Sequence, residues 1–421
     1  MTETCFLEKV IDEIMAKAEE LGLDFYEMRF EICPAEILYT FGACGMPTRF
    51  SHWSFGKAFQ RIKKEYDYNL SRIYELVINS DPCYAFLLQD NTLVENKLVV
   101  AHVLAHCDFF KNNAYFALTP PDKLSDMEAS AVRIREYESR YGRDEVEAFL
   151  DAVLSIKEHI DPHRLVKNTT TGKPPPAGPQ KDLLLYIMHH AHYLEDWQRD
   201  IIGIIRDEML YFWPLMETKI TNEGWATFWH LRIIRSLDLS EKEVVEFAKM
   251  HAGLLQPSRW QLNPYLVGLR IWQDIEKRYG REALFELRSY TNDLSLIRNY
   301  LNEDLVQELD LYVYANIGQE WRVLDRSWQN VRDTIVNNLV NCGHPVIYME
   351  DGNFNNRGEL YLRHAYEGAE LDIDYLENTL PFVYKLWGRP VHLETVVDEK
   401  VTLFSYQGER VSRRFVKVHQ P

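Results

Sequence analysis

The chain has 421 residues, enough for two or three domains, and 46% of them are hydrophobic, so a large core is available. Its formal net charge of −17 argues against nucleic-acid binding, because such binding neutralises phosphates with lysine and arginine, and against resting on an anionic membrane. The sequence also shows no secretory signal, no apolar run of the roughly 18 residues that a membrane span needs and no C-x-x-C pair among its six cysteines, which together predict a cytoplasmic protein.

Predicted elements fall into three zones before the C-terminal part. Residues 1–24 have the period of an amphipathic helix that ends near Gly22. Residues 25–60 are rich in aromatic residues and interrupted by glycine and proline, which predicts extended pieces and turns packed on a helical body. The helical period dominates residues 90–324, apart from residues 169–179 (TTTGKPPPAGP), where proline and glycine predict an exposed loop.

The C-terminal part has the pattern of short strands instead of a helical period. Five segments follow the pattern β-β-α-β-β: residues 345–349, 359–364, 373–386, 391–396 and 400–406. The first two strands flank a strong turn signal at residues 350–358 (EDGNFNNRG), and the basic end at 413–417 is expected to be a solvated edge. We therefore predict a mainly α protein, with a large helical, zincin-like domain at 1–330 and a small α+β domain at 331–421.

His102 and His106 stand four residues apart in the apolar run LVVAHVLAH (residues 98–106). On a helix this spacing places both imidazoles on one face. The H-E-x-x-H motif of zinc peptidases uses the same geometry, with two histidines as metal ligands and the glutamate as general base. Val103 occupies the glutamate position here. A hydrogen-bonded histidine pair in the core is the alternative interpretation, and the nearby Asp108 is a candidate alternative ligand.

Glu223, in the sequence EGWA, is a glutamate among aromatic and small residues. It needs a partner, because an unpaired buried charge is costly, and zinc peptidases of the gluzincin type take their third ligand from such a glutamate on a later helix. With His102 and His106 it would form a His2Glu site for a divalent metal, zinc above all. Pairing with a core arginine or histidine is the alternative; His230 shares its helical face and is a candidate supporting ligand. Thr227 stands where gluzincins often have an aspartate.

Three histidines lie within four residues at His189, His190 and His192, followed by Glu195. Read as one long helix, this stretch places His189, His192 and Glu195 on a shared face, with Glu208 about three and a half turns beyond Glu195. These residues are candidates for support of the first histidine pair, for a second metal or for a relocated acid–base pair. Glu208 is the preferred general base and Glu195 the second catalytic candidate. A polar seam between packed helices is the alternative.

Long, idiosyncratic strings run through nearly the whole chain: residues 41–57 (FGACGMPTRFSHWSFGK), 76–87 (LVINSDPCYAFL), 101–113 (AHVLAHCDFFKNN), 149–162 (FLDAVLSIKEHIDP), 195–200 (EDWQRD), 218–230 (TKITNEGWATFWH), 263–265 (NPY) and 351–360 (DGNFNNRGEL). In these strings the chain resembles the stage V sporulation protein R (SpoVR-like) family. The resemblance implies a role in sporulation, in formation of the spore cortex peptidoglycan, although relatives also occur in bacteria that form no spores. It also implies partners, a serine protein kinase and a von Willebrand-type domain protein of a stress-response unit. It supplies no established reaction.

Two hypotheses follow from these residues. In the first, a SpoVR-like protein acts in sporulation with a zincin-like metal site, as a degenerate peptidase or as a hydrolase with a relocated base such as Glu208. In the second, a non-catalytic regulatory scaffold docks a serine protein kinase complex and the histidines are structural. Convergence of ligand atoms from His102, His106 and Glu223 on one point is the geometric test that separates them.

Overall fold

The computed structural model describes residues 3–67, 75–163, 180–257, 261–317 and 320–416. These residues contain sixteen α-helices: α1 (Glu3–Glu20), α2 (Ala35–Cys44), α3 (Trp53–Asp67), α4 (Leu93–Asn112), α5 (Lys123–Tyr141), α6 (Arg143–Leu154), α7 (Leu183–His190), α8 (Asp196–Glu217), α9 (Lys219–Ser236), α10 (Glu241–Leu254), α11 (Pro264–Tyr279), α12 (Arg281–Arg288), α13 (Asp293–Tyr300), α14 (Glu303–Glu308), α15 (Trp328–Leu339) and α16 (Ile373–Trp387). They also contain ten strands: β1 (Met28–Cys33), β2 (Glu75–Ile78), β3 (Cys83–Leu88), β4 (Val313–Ile317), β5 (Glu320–Asp325), β6 (Ile347–Phe354), β7 (Glu359–His364), β8 (Val391–Val397), β9 (Lys400–Tyr406) and β10 (Val411–Phe415). The loop predicted at 169–179 lies outside the described residues.

The chain forms two compact units, each built from two separate stretches. The first unit is Met1–Glu128 with Pro214–Cys342, and the second is Ala129–Trp213 with Gly343–Pro421. The units interleave along the sequence, so the linear division at residue 330 stays a prediction about domains. The predicted fold class is confirmed: the protein is mainly α-helical with a small α+β part near its C-terminus. None of the helices in the described part of the chain combines the length and apolarity that crossing a membrane requires.

Helix α4 runs through the core of the first unit. A capping box starts it: the Thr92 hydroxyl accepts from the Glu95 N–H, and the Glu95 carboxylate accepts from the Thr92 N–H at 2.6 Å. Fifteen of its 20 residues are buried. A helix that is apolar on nearly all sides is expected in a core, not on a surface. The polar side chains of His102, His106 and Asp108 on α4 are consequently enclosed by packed helices, of which α9 and α1 are the main neighbours.

Helix α9 meets α11 backbone to backbone at two glycines. A Cβ on Gly224 would fall closer than 3.0 Å to the backbone of Gly268, and a Cβ on Gly268 would lie 2.6 Å from the Gly224 Cα. Only glycine at both positions permits this approach. The start of α9 is fixed as well, since the Asp293 carboxylate accepts from the backbone N–H groups of Ile220 and Thr221 at 2.9 and 2.8 Å. Any side chain on the first turns of α9 therefore has a well-defined position.

The aromatic N-terminal zone is more helical than its sequence indicated. Within residues 25–60, only β1 is extended, and α2 and the start of α3 occupy places where turns were predicted. Pro34 precedes the first turn of α2, and Gly45 ends that helix with a φ of 79°. Proline and glycine thus mark the limits of a helix here and do not exclude one. Strand β1 pairs in parallel with β3, which pairs antiparallel with β2.

The second unit contains a five-stranded sheet in the order β10-β9-β8-β7-β6. Strands β7 and β8 are parallel and joined through α16, whereas the other neighbours are antiparallel. The predicted β-β-α-β-β pattern is present, and β10 adds a fifth strand. Its exposed residues Arg413 and Arg414 lie on the edge strand where a solvated basic end was expected.

The single long helix predicted from His189 to Glu208 is wrong. Helix α7 ends at His190 and α8 begins at Asp196. The Arg199 guanidinium on α8 donates to the carbonyl oxygen of Ala191 at 2.7 Å, which satisfies the end of α7. Glu195 stands at the start of α8, where its N–H donates to the Gln198 side chain at 2.9 Å. The chain turns between these residues, so the helical face inferred for the histidines and Glu195 does not exist.

Candidate metal centre

Three predicted metal ligands lie together in the first unit. His102 and His106 stand one turn apart on α4, and Glu223 stands on the second turn of α9. One ligand atom from each lies within 4.8 Å of the other two. Within the described ranges, no other set of three or more histidine, cysteine, aspartate or glutamate side chains converges in this way. These three residues could hold a metal ion.

The distances fit a small tetrahedral ion. Glu223 Oε2 lies 3.5 Å from His102 Nε2 and 3.4 Å from His106 Nε2. Around zinc, bonds of about 2.1 Å at tetrahedral angles separate ligand atoms by about 3.4 Å. Two imidazole nitrogens and one carboxylate oxygen are also a donor set that zinc accepts. The three residues present therefore suit a zinc-sized ion in both spacing and chemistry.

The Glu223 carboxylate carries the negative charge of the cluster. Burial by itself would raise the pKa of Glu223, but the imidazoles of His102 and His106 against its carboxylate lower that pKa by more. The net pKa is well below the usual range, so the group is ionised at any physiological pH. A carboxylate whose Oε2 atom is enclosed and faces two imidazole nitrogens is a favourable setting for a cation.

The far nitrogen of each histidine is also engaged. His106 Nδ1 lies 2.9 Å from the side-chain oxygen of Asn222, the residue directly before Glu223. His102 Nδ1 lies 2.8 Å from His230 Nδ1, and His230 Nε2 lies 3.1 Å from His251 Nδ1. Such partners on the second nitrogen fix the tautomer and the ring orientation of a metal-binding histidine. Both Nε2 atoms are in this way aimed at the Glu223 carboxylate.

His230 and His251, the two histidines of this hydrogen-bonded series that lie beyond His102, are neutral at pH 7. Burial, and then the neighbouring imidazoles, lower the pKa of His230 far below its ordinary value. Burial, and then Arg235 and Arg270, lower the pKa of His251. With metal on His102 Nε2, the only consistent proton arrangement has His102 Nδ1–H donating to His230, and His230 Nε2–H donating to His251. Metal binding would thus set the tautomers of three rings at once.

Asp108, a candidate alternative ligand, joins helices in this structure. Its carboxylate pairs with the Arg288 guanidinium on α12 and accepts from Trp225 Nε1 at 2.9 Å and from the backbone N–H of Asp24 at 2.8 Å. Burial raises the pKa of Asp108, and Arg288 offsets part of that rise. The ion pair ties α4 to α12, and the hydrogen bond from Trp225, two residues after Glu223, ties α4 to α9 beside the cluster. Its ligand role stays a prediction.

The remaining candidates belong to the second unit. Glu208 is buried on α8, and Glu195 accepts from the Trp197 indole N–H at 3.1 Å. His190 and His192 lie at and after the end of α7, and their ligand atoms form no second converging group among the residues the structure describes. The catalytic roles of Glu208 and Glu195 and the supporting roles of the two histidines stay predictions.

Sequence reasoning missed two residues that contact the ligands or their partners. Asn222 was inside a recognised string but had no assigned role, although its position next to Glu223 was a usable signal. His251, on α10, has no spacing relation to the other histidines. Only the packing of α10 against α4, which brings His251 to His230, reveals it.

The fold and the cluster define a class: a mainly α-helical protein in which two packed core helices present a His–His–Glu triad. The comparisons with known proteins are more specific. The chain belongs to the SpoVR-like family, since the family described as "SpoVR like protein" matches residues 2–175 and 167–344 and the "SpoVR-like C-terminal domain" matches residues 345–398. It is 30% identical to the uncharacterized protein YcgB of Escherichia coli (strain K12), over 92% of this chain and 91% of that protein. No solved structure matches it.

Proposed function

We propose that this protein binds one divalent metal ion, zinc in the first place, through His102 Nε2, His106 Nε2 and a Glu223 oxygen. The observation that carries the proposal is the spacing of about 3.4 Å between the carboxylate oxygen and each of the two nitrogens. Three protein ligands leave one coordination position for a substrate or solvent molecule, and zinc supplies Lewis acidity there.

The same spacing argues against a purely structural ion pair. A charge-assisted hydrogen bond between a histidine and a carboxylate would bring nitrogen and oxygen to about 2.8 Å. Here Glu223 Oε2 stands nearly equidistant from both nitrogens and beyond that distance. A carboxylate that served only to neutralise one histidine would be expected to move onto it. The nearly equal separation supports a shared ion between the three ligands.

Metal analysis tests the proposal. Protein purified without chelator should contain about one equivalent of metal by mass spectrometry, as expected for a His2Glu site. His106→Ala and Glu223→Gln should lose it, whereas Glu377→Gln, an exposed glutamate on α16, should retain it. Less than about a tenth of an equivalent of any transition metal in the wild-type protein, and after zinc addition, would refute the site.

Hydrolysis is a narrower proposal, because Val103 replaces the usual general base. The converging group of described ligands contains a single carboxylate, Glu223. A hydrolase would therefore need a base from elsewhere, and Glu208 is the residue we propose. The test is a panel of peptide and amide substrates: Glu208→Gln should abolish turnover while the metal content stays at the wild-type level. Equal turnover in both proteins would remove Glu208 from the reaction.

The cellular role rests on family membership. We propose a cytoplasmic function in sporulation and spore cortex formation, or in the related stress response, alongside a serine protein kinase and a von Willebrand-type domain protein. The scaffold hypothesis makes the metal site dispensable. Tagged wild-type protein and the His106→Ala variant should therefore be compared for kinase co-purification from the native host: equal recovery supports a scaffold, and loss with the metal supports a metal-dependent complex.

A further inference from the structure

The second unit has a cavity that the metal site does not involve. Its volume is about 490 Å³, and it lies between the end of α7, the β6–β7 turn and the end of α16. This volume is in the range of small-molecule sites and exceeds what a bare inorganic ion occupies. Residues 351–353 at the end of β6 and Gly358 in the turn that follows border it, and all belong to the string that the sequence marked as a strong turn signal.

More side chains with nitrogen donors than with carboxylates line the cavity. Three of the 14 histidines of the chain, His189, His190 and His192, line it together with Arg389, against the single carboxylate of Asp351. The chain as a whole has 64 acidic and 47 basic residues, so this local balance runs opposite to the global one. Each imidazole offers at least one N–H, and Arg389 brings a full positive charge. The cavity is thus built to receive hydrogen-bond acceptors.

Arg389 is held in position by the protein itself. Its Nη1 donates to the carbonyl oxygen of Arg357 at 2.8 Å and its Nη2 to the Tyr193 hydroxyl at 3.0 Å. A side chain at Gly358 would collide with the guanidinium. These contacts use two of the five guanidinium N–H donors. A pre-positioned guanidinium with donors left over is the group that recognises phosphate with two parallel hydrogen bonds.

One wall of the cavity is aromatic. The Tyr186 ring stacks on the Trp387 indole with centroids 5.9 Å apart and planes inclined by 20°, and the His190 ring meets Tyr186 edge-on at 4.3 Å. The Trp387 Nε1–H donates to the Gly358 carbonyl oxygen at 2.8 Å, which fixes the wall to the turn. A flat, partly apolar wall beside polar side chains suits the ring of an organic ligand.

We propose that this cavity binds a phosphorylated small molecule that contains a ring, with its phosphate on Arg389 and the histidines and its ring against Tyr186 and Trp387. Asp351 would accept from a hydroxyl group of the ligand, although its Oδ1 already accepts from the Asn353 N–H at 2.8 Å. The shared chemistry is a phosphate monoester, carried by either a nucleotide or a sugar phosphate. The proposal is independent of the metal site.

Calorimetric titration of the full chain tests it, with AMP, ribose 5-phosphate and adenosine as probes. We expect at least one phosphorylated probe to bind and adenosine to bind at least tenfold more weakly. Arg389→Gln should weaken binding of that probe by about tenfold or more, since a charge-assisted pair is lost. The control is Arg410→Gln, which removes the same charge from an exposed arginine of the same unit and should leave binding unchanged. His106→Ala should also bind normally.

Three outcomes would overturn the proposal. The first is no binding of either phosphorylated probe up to about 10 mM, roughly ten times a weak Kd of 1 mM. The second is equal affinity for adenosine, and the third is equal affinity of that probe for Arg389→Gln and Arg410→Gln. Thermal unfolding checks that the Arg389→Gln variant is folded. If that variant is not folded, Arg389→Lys, which keeps the charge and loses the planar fork, and His190→Gln take its place with the same criteria.

Discussion

The contact between α9 and α11 allows a quantitative test of how the metal ligands are positioned. Gly268→Ala places a methyl group on α11, a helix that carries none of the proposed ligands. Its carbon would lie 2.6 Å from the Gly224 Cα, and the carbonyl oxygen of Ile220 would be closer still. Both neighbours are backbone atoms of a regular helix, so neither can rotate aside. The helices must separate for the methyl group to fit.

The size of that separation sets the expected cost. Ordinary contact begins at 3.4 Å, so the Gly224 Cα alone requires the helices to move apart by about 0.8 Å and the nearer Ile220 oxygen requires more, although packed cores tolerate little such movement. Inserting a methyl group into a filled core costs about 1–3 kcal/mol, or more where backbone has to move. Alanine regains about 1 kcal/mol of helix propensity relative to glycine. We expect a net loss of about 2 kcal/mol of unfolding free energy.

Urea denaturation followed by tryptophan fluorescence measures this loss, because Trp225 and Trp272 are fully buried on the two helices. The matched control is Gly56→Ala on α3, where an added Cβ meets nothing within 4 Å and the variant should be equally or more stable than wild type. Separating α9 from α11 also moves Glu223, so Gly268→Ala should bind zinc more weakly. A Gly268→Ala protein as stable as Gly56→Ala would refute the reasoning.

Three further predictions concern other contacts. Asp108→Asn should destabilise the protein by about 3 kcal/mol in urea denaturation, because Arg288 is left buried without its counter-ion; a change below about 0.5 kcal/mol, the range of surface substitutions, would contradict this. Asn222→Ala should weaken zinc binding in a chelator competition by about 10–100-fold by freeing the His106 ring, and unchanged affinity would mean that Asn222 does not orient it. Burial lowers the pKa of His159 to about 4, so the contribution of neutral His159 to stability is complete above the ordinary pKa of 6.5 and is lost as pH falls through 4. His159→Gln should therefore lose less melting temperature than wild type between pH 7 and 4. Parallel curves of melting temperature against pH for the two proteins would exclude the effect.

Sequence reasoning found the cluster because its signals are local. The spacing of His102 and His106 is a property of one helix, and Glu223 was conspicuous as a charge among aromatic residues. The residues that hold the ligands in position could not be found in this way. His251 reaches His230 across 21 residues and a helix–helix contact, and Arg288 reaches Asp108 across 180. No period within one element encodes such pairs.

Errors in the fold prediction have the same origin. The end of α7 depends on Arg199, a side chain from the following helix, and not on a glycine or proline at the break. The histidine stretch consequently looked continuous with α8. The two compact units could not be derived at all, because each combines stretches separated by more than 80 residues. The composition along the chain shows where the residue pattern changes, but it does not show which stretches pack together.

The structure gives a physical reason for Val103 that the motif comparison lacked. Val103 is fully buried and belongs to the apolar core cluster of the first unit. A glutamate at this position would place a further carboxylate, without a partner, in that core, at a cost of several kcal/mol unless it stayed protonated. A protonated or unfolded variant would not supply a general base. The packing around residue 103 therefore prevents it from acting as the general base that the glutamate provides in H-E-x-x-H peptidases. Any reaction at the cluster must take its proton acceptor from another part of the chain or from the substrate.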